Sequence, residues 1–490
     1  MMKDIRVLFG CLMLSILFVG VLSSTSLIYD QWYPIDSTIY QIIGKGWLVG
    51  KIPYVDLWDQ KGPLLYFINA IGYWFTGDKL GLFFVEVCVF ACFFFLLYLF
   101  FRKNCSRNLT LLLFCLTVFH LSQLVAGGNT IEQYILPLLM LAYMYIWDWS
   151  VRANSRDKVA HSPTFAFLYG VIFSVSMLTR LTNAIGVCVA FGLILCYLIK
   201  MKEWKNVGCN IIAFFLSFII VTTPFLAYFY IHEGLYEWFY ATILFNIDYF
   251  GQSTIREMSV YELGSKLLAY IGTYGLVVIS ALLCFIDRKK VLFHGLWLIV
   301  SGITLLYFLR TVMFEHYAII AVPYFAIMLL EFKKLYELYR QILFINKSMQ
   351  CMASLFVLFM VVNFSFQLYQ SYMRGKVTNI QLAVYQKEIV QNSDIDISNL
   401  IGYGVHPSIY LHYGVTPICR FFALQESYSK AASSLKPKIV DSFGNTKPTY
   451  VLLSASDCQN NVLIKQILTD KYTEVDSITS GTLFFFNSRK

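Results

Sequence analysis

The chain has 490 residues, 58% hydrophobic, 18% aromatic and 14% charged, with a formal net charge of +9. Soluble domains carry roughly 25% charged residues, so this composition excludes an ordinary soluble enzyme. The positive balance is no sign of nucleic-acid binding, because no continuous basic arm occurs and the cations sit in short loops suited to anionic lipid.

Apolar runs of about 18 or more residues recur, each long enough to cross a hydrocarbon core of roughly 30 Å. The first, Val7 to Leu27, exceeds the roughly 7–15 residues of a signal-peptide core and other spans follow, so it reads as a retained helix. Helices are expected near 7–28, 81–101, 108–124, 131–149, 164–180, 183–199, 207–230, 264–286, 292–309, 316–332 and 350–370, about eleven crossings. A shorter apolar segment, Gly62 to Phe75, is expected to lie partly in the membrane surface or to re-enter it. From about Ser371 the composition becomes that of a small soluble domain, with helices expected at 379–390 and 461–472. Short strands are expected at Asn399–Tyr403, at Tyr450–Ser454 and at Thr482–Phe486. The expected fold is thus an all-α polytopic membrane module, 1–370, with an outer loop at 29–80, followed by a small α/β appendage at 371–490.

Lysine and arginine cluster at every second loop, as at Lys3–Arg6, Arg102–Arg107, Arg152–Lys158, Lys200–Lys205, Arg288–Lys290 and Lys333–Lys347. The positive-inside rule then puts the amino terminus in the cytoplasm, and the Asp36 loop and the tail on the opposite face. No internal repeat marks a transporter built from inverted halves. The twelve cysteines lie mostly inside apolar runs, where they act as small hydrophobes, and none shows zinc spacing. Cys419 and Cys458 lie in the polar tail and would be able to pair if that tail is extracytoplasmic.

Between Pro34 and Phe67 the chain holds Asp36, Asp56, Asp59 and Lys61. Asp36 has two readings. It caps a surface helix whose Ile39, Ile42, Ile43 and Trp47 face the bilayer, or it is a general base for an acceptor hydroxyl. Asp56 and Asp59 flank Trp58, and Pro53-Tyr54 and Gly62-Pro63 stiffen the loop at its ends. That loop is either a solvated turn with an internal ion pair or a rigid site whose acids hold a divalent cation or sugar hydroxyls. Three further features share its side: Gly127-Gly128-Asn129 before Glu132 and Tyr134; Arg180 before Thr182 and Asn183; and Arg310 with Glu315, His316 and Tyr317. Ionisable residues at membrane depth are costly enough to be functional suspects, although each alone can snorkel or pair structurally. A guanidinium there, Arg180 or Arg310, would clamp a lipid phosphate. Outer tyrosines and tryptophans would stack on sugars or anchor the interface.

Taken in order, Asp36, Gly50-Lys51-Ile52-Pro53-Tyr54-Val55-Asp56, Lys61-Gly62-Pro63, Gly127 to Glu132, Arg180 to Asn183 and His316-Tyr317 resemble the bacterial glycosyltransferases of family 39. These are relatives of the protein O-mannosyltransferases and of the lipid A aminoarabinose transferase, within the GT-C class. The resemblance covers roughly residues 5–370. It implies an enzyme of the bacterial inner membrane that moves a sugar, with inversion, from a polyprenyl-phosphate donor to a glycan, lipid or protein acceptor on the extracytoplasmic face. Asp36 would be the base, and Lys61 with an arginine would offset charge on the departing phosphate. Asp56, Asp59, Lys61, Glu132, Arg180, Arg310, His316 and Tyr317 would bind substrate. Many relatives carry Asp-Glu where this chain has Asp36-Ser37, so a divalent cation, if one is used, would draw on Asp36, Asp56 and Asp59. The rival readings are a transporter or flippase of lipid-linked glycans, a polymerase using the long loop Ile231–Leu263, and a membrane scaffold whose tail does the binding.

Overall fold

Lipid offers no partner to backbone N–H and C=O groups, so an apolar run inside it must satisfy them internally, as a helix. The computed structural model describes residues 2–29, 34–125, 127–155, 159–252, 264, 268–310, 315–339, 397–454, 463, 467, 472–477 and 483–488, with a few positions between 362 and 373. In chain order the first helices are α1 (Met2–Leu22), α2 (Ile35–Leu48), α3 (Pro63–Thr76), α4 (Leu80–Asn104), α5 (Arg107–Ser122) and α6 (Ile131–Ser155). Then come α7 (Pro163–Met177), α8 (Ile185–Lys200), α9 (Trp204–Ile231), α10 (Leu235–Phe239), α11 (Phe245–Gln252), α12 (Ile271–Ile286), α13 (Val291–Arg310) and α14 (Val322–Tyr339). Among the described residues, seven helical stretches are long and apolar enough to cross a membrane, and α5, α7 and α12 are shorter apolar helices. Ten of the expected spans are helices here; the eleventh, near 350–370, lies outside the described residues apart from a few helical positions.

By packing, the chain divides into two units. The first, a helical membrane unit, comprises Met1–Ile28, Phe83–Pro224 and Ile255–Ser371. Its core is aromatic: Trp147 meets Phe100 and Phe293 edge-on at centroid distances of 5.6 and 4.8 Å. Polar groups within it pair with one another, as where the Tyr143 and Tyr324 hydroxyls stand 2.7 Å apart and Thr304 lies 3.0 Å from Tyr324. α9 leaves Ile212, Phe215, Leu216, Ile219 and Ile220 exposed, as a lipid-facing helix should. The basic loops gather at one end, where Lys103 pairs with Asp148 at 2.5 Å, Lys333 donates to the Asn104 carbonyl at 2.9 Å and Asn154 to the Lys289 carbonyl at 2.6 Å.

The second unit comprises Tyr29–Leu82, Phe225–Thr254 and Tyr372–Lys490. In it α2 and α3 form a close antiparallel pair. A Cβ at Gly44 would come within 2.7 Å of Asn69 and Ala70, so only glycine permits this approach. That packing corrects the bilayer-facing reading of α2, since Ile39, Ile42 and Ile43 are all buried. Exposed apolar groups appear instead at the ends, as Leu48 and Val49 on α2 and Trp74 and Phe75 on α3.

The tail is a four-stranded sheet of β1 (Leu400–Tyr403), β2 (Tyr450–Ser454), β3 (Tyr472–Ser477) and β4 (Leu483–Ser488), ordered β1-β2-β4-β3. β1 and β2 run parallel; the other pairs are antiparallel. Between β1 and β2 come α15 (Ser408–His412), α16 (Gln425–Ala431) and α17 (Leu435–Thr446), none of which the pattern announced. β3 also went unread, because Glu474 and Asp476 hide its period, as charges on an edge strand do. The expected helix at 379–390 lies outside the described residues; of 461–472, Leu463 and Ile467 are described and helical, while Tyr472 begins β3. Cys419 is a buried thiol that burial pushes up to about 12, while Cys458 lies outside the described residues.

Candidate active site

Asp36 stands in the first turn of α2, one residue inside its start. The N-cap is Pro34 and no side chain caps it, so capping is not what Asp36 does. Thr38 closes that turn instead, its hydroxyl donating to the Pro34 carbonyl at 2.8 Å. The Asp36 carboxylate is half-buried and has no hydrogen-bond or ion-pair partner among the described residues.

The following loop folds onto its own acids. Asp56 Oδ2 accepts from the Ile52 N–H at 2.7 Å and closes a turn in which Tyr54 takes φ +69°, a left-handed conformation costly for a non-glycine residue. The Tyr54 hydroxyl donates to the Lys61 carbonyl at 2.7 Å. Asp59 is 3% exposed and accepts from the hydroxyls of Tyr66 at 2.7 Å and Tyr428 at 2.8 Å, one on each oxygen. Burial, and then the charge on Asp59, push the Tyr54 and Tyr66 hydroxyls well above their usual range, so they remain donors. Trp58 is buried beside them, its ring 5.1 Å from Phe245, 5.4 Å from Phe421 and 4.6 Å from Tyr428, and its backbone N–H donates to the Arg420 carbonyl at 2.9 Å.

The segment after α9 joins the same cluster. Asn246 donates to the Gln60 carbonyl at 3.2 Å, Tyr240 meets Ser434 at 2.9 Å, and Glu237 pairs with Arg420. Trp238 stacks on Phe229 at 5.2 Å. The rigid-loop reading of Asp56 to Lys61 therefore describes the geometry, and the stiffness comes from the tail as well as from the prolines.

These three acids do not make a ready cation site. Asp59 has both oxygens taken by tyrosines, Asp56 has one on a backbone N–H, and no group of three His, Cys, Asp or Glu converges among the described residues.

The membrane unit holds the other candidates. Glu132, 1% exposed in the first turn of α6, binds Arg180 Nη1 through Oε1 at 2.9 Å, and the Arg180 guanidinium lies 3.5 Å from the Tyr317 ring centre. Three residues 48 or more positions apart in the chain thus form one charged, stacked group. Tyr270 and Tyr307 lie within electrostatic reach of Arg180. Glu132 Oε2, Asn183 Nδ2 and the Tyr270 and Tyr307 hydroxyls are buried without a hydrogen-bond partner among the described residues. His316 packs edge-on to Tyr317 at 4.7 Å. Arg310 ends α13, and its side chain lies outside the described residues.

One residue escaped the sequence reading. Glu86, in the apolar helix α4, is fully buried and accepts from Ser23 at 2.7 Å, Asn129 N–H at 2.5 Å, Gln133 at 2.6 Å and Thr25. It holds the Gly127–Asn129 turn at the foot of α6, where Gly128 has φ +72° and a Cβ would strike Ser23. Its signal was available: it is the lone acid in the run 81–101.

No protein-family model matches the sequence, and no curated protein matches it. Among solved structures, ArnT from Cupriavidus metallidurans bound to undecaprenyl phosphate superposes at TM-score 0.57 and 12% identity, covering 98% of this chain and 97% of that one. This chain shares the ArnT fold. The apo form of ArnT aligns at TM-score 0.55 and 13% identity, over 99% and 98% of the two chains. The archaeal oligosaccharyltransferase AglB from Archaeoglobus fulgidus, in complex with an inhibitory peptide and a dolichol-phosphate, scores only 0.45 and adds no argument. The GT-C-like architecture expected from the sequence is therefore the fold observed, and the match to ArnT runs through the membrane helices and the tail alike.

Proposed function

We propose that this protein is a multi-pass membrane glycosyltransferase that takes a sugar from a polyprenyl-phosphate donor. The observation that carries this reading is a nearly full-length likeness to an ArnT structure bound to undecaprenyl phosphate. Asp36 acts as general base on an acceptor hydroxyl at the extracytoplasmic face of the bacterial inner membrane, and the anomeric carbon inverts. Its carboxylate, without a partner among the described residues, supports that role, since a base must keep an oxygen open to the proton it takes. Lys61 offsets the charge that gathers on the departing lipid phosphate; its carbonyl accepts from the Tyr54 hydroxyl at 2.7 Å. Asp56 and Asp59 shape this loop rather than reach substrate. In the membrane unit, Arg180 is a preorganised guanidinium for a lipid phosphate, and the unpartnered Asn183, Tyr270 and Tyr307 groups around it suit a polar ligand, because an unmet buried polar group costs about 1–3 kcal/mol.

The test is direct. Purified protein is incubated with a panel of polyprenyl-phosphate sugars and the release of free lipid phosphate is measured, with and without chelator. One donor should be consumed by the wild type and not by D36N. Equal turnover by D36N at equal membrane level would remove the mechanism, and no release from any donor in the presence of acceptor extract would remove the donor class.

A further inference from the structure

A second feature lies at the basic end of the membrane unit, away from the Glu132–Arg180 cluster of that unit. There α8 and α13 leave a groove of about 320 Å³, lined by Trp149, Leu193, Cys196, Gly295, Leu296 and, at its rim, Lys200. Its lip is lipid-facing, with Val291, Leu292 and Ile299 exposed. The turn Arg288–Lys290 precedes the first residues of α13 that line the groove, and Asn154 fixes it by donating to the Lys289 carbonyl. Of its cations Lys290 is neutralised by Asp287 at 3.0 Å. Lys200, Arg288 and Lys289 are exposed and have no carboxylate partner among the described residues. At the groove's inner wall the Trp149 indole N–H is buried without an acceptor among the described residues, although Trp149 is only 1% exposed.

An apolar slot, a buried donor along it, a cation without a carboxylate partner among the described residues at its rim and two more in the turn leading into α13 match one ligand class. We infer that the groove binds an anionic glycerophospholipid of the leaflet at the basic end, its acyl chain in the slot and its phosphate among Lys200, Arg288 and Lys289. The site is not the donor site. α6 runs from Glu132 to Trp149, and at 1.5 Å per residue the two are about 25 Å apart along the helix. The inference rests on the fold and on these residues, and survives whichever sugar or reaction the enzyme serves.

Native mass spectrometry of the full-length protein in detergent, titrated with phosphatidylglycerol and, separately, phosphatidylcholine of the same chains, tests it. The wild type should retain phosphatidylglycerol in clear preference. Each cation beside anionic lipid is worth about fivefold in binding, so K200Q/R288Q/K289Q should lower that preference by tens of fold, up to about a hundredfold. Gly295→Phe should remove the tightest phosphatidylglycerol, since a Cβ there meets nothing within 4 Å and the ring fills the slot without disturbing the packing. Cys196→Trp, from the facing helix, repeats the block should Gly295→Phe not purify; each variant must melt as the wild type does. Wild-type occupancy in both blocked variants would show lipid adsorbed by charge alone and overturn the site, as would equal retention of the two lipids by the unaltered protein.

Discussion

Removing the Tyr428 hydroxyl tests how the loop that carries Lys61 is held. In Y428F, Asp59 Oδ1 loses its donor while Oδ2 keeps Tyr66, so a buried carboxylate stays charged with half its partners. A hydrogen bond to a charged group contributes about 1.5–3 kcal/mol, against about 0.5–1.5 kcal/mol for a neutral one. The ring of Tyr428 remains against Trp58 and Phe245, so packing changes little. The loss should be about 2 kcal/mol. The unit concerned has about 200 residues, for which each kcal/mol shifts the melting temperature by about 2–4 °C, so its unfolding should move down by about 4–8 °C. Scanning fluorimetry of purified protein, with limited proteolysis of the tail, reads this. In a D59N background the same Tyr428→Phe change should cost roughly half as much, because the charge that strengthened the bond is gone. A Y428F protein that melts within about 1 °C of wild type, with an equally resistant tail, would refute the claim that this bond ties tail to loop.

Asp36→Asn should leave the melting temperature unchanged, since the carboxylate holds nothing, while sugar transfer falls by about 10²–10⁴-fold; a destabilised variant would show a structural role instead. Arg180→Lys should lower both stability and transfer, because an ammonium cannot keep the Glu132 contact and the flat stack on Tyr317 together; unchanged melting would contradict the cluster. His161, in the loop before α7, donates through Nδ1 to Asn210 Oδ1 at 2.6 Å, and burial lowers it from 6.5 to about 4. The folded protein keeps it neutral, so its stabilisation is complete above about pH 6.5 and declines toward pH 4, by up to about 3 kcal/mol. H161Q should flatten that part of a melting-temperature profile; a wild-type profile already flat from pH 6.5 to 4.5 would refute the burial argument.

What could be read in advance followed from how far apart the interacting residues lie. Helical spans depend on runs of about 18 residues in one place, and they came out with ends shifted by a few positions. The Asp36 loop stood out because charge is scarce in the spans around it. The roles of its acids did not, since Asp59 is completed by Tyr428, which is 369 positions away in a segment without a motif. The apolar face of α2 was legible, but not what covers it: the same period serves lipid or protein, and only the Gly44 approach to α3 decides between them. Glu86 was overlooked for the opposite reason, because a single acid is lost in the average hydropathy of α4.

The acids of this protein can be ordered by how fully their oxygens are used. Glu86 takes four donors, and Asp59 takes one on each oxygen. Both are buried, and a buried polar group is tolerable only when it is so matched. Both are enclosed by the groups they hold, so substitution there should act through the position of the Asn129 turn or the Lys61 loop. Among the described residues Glu132 is matched on Oε1 alone, and Asp36 on neither oxygen. A half-met buried carboxylate implies a further donor, and near Arg180 the hydroxyls of a sugar would supply it. A carboxylate with no partner among the described residues keeps its oxygens open, as a general base requires. The distribution of hydrogen bonds thus separates acids that build the protein from acids that remain available for chemistry, and Asp36 falls among the latter.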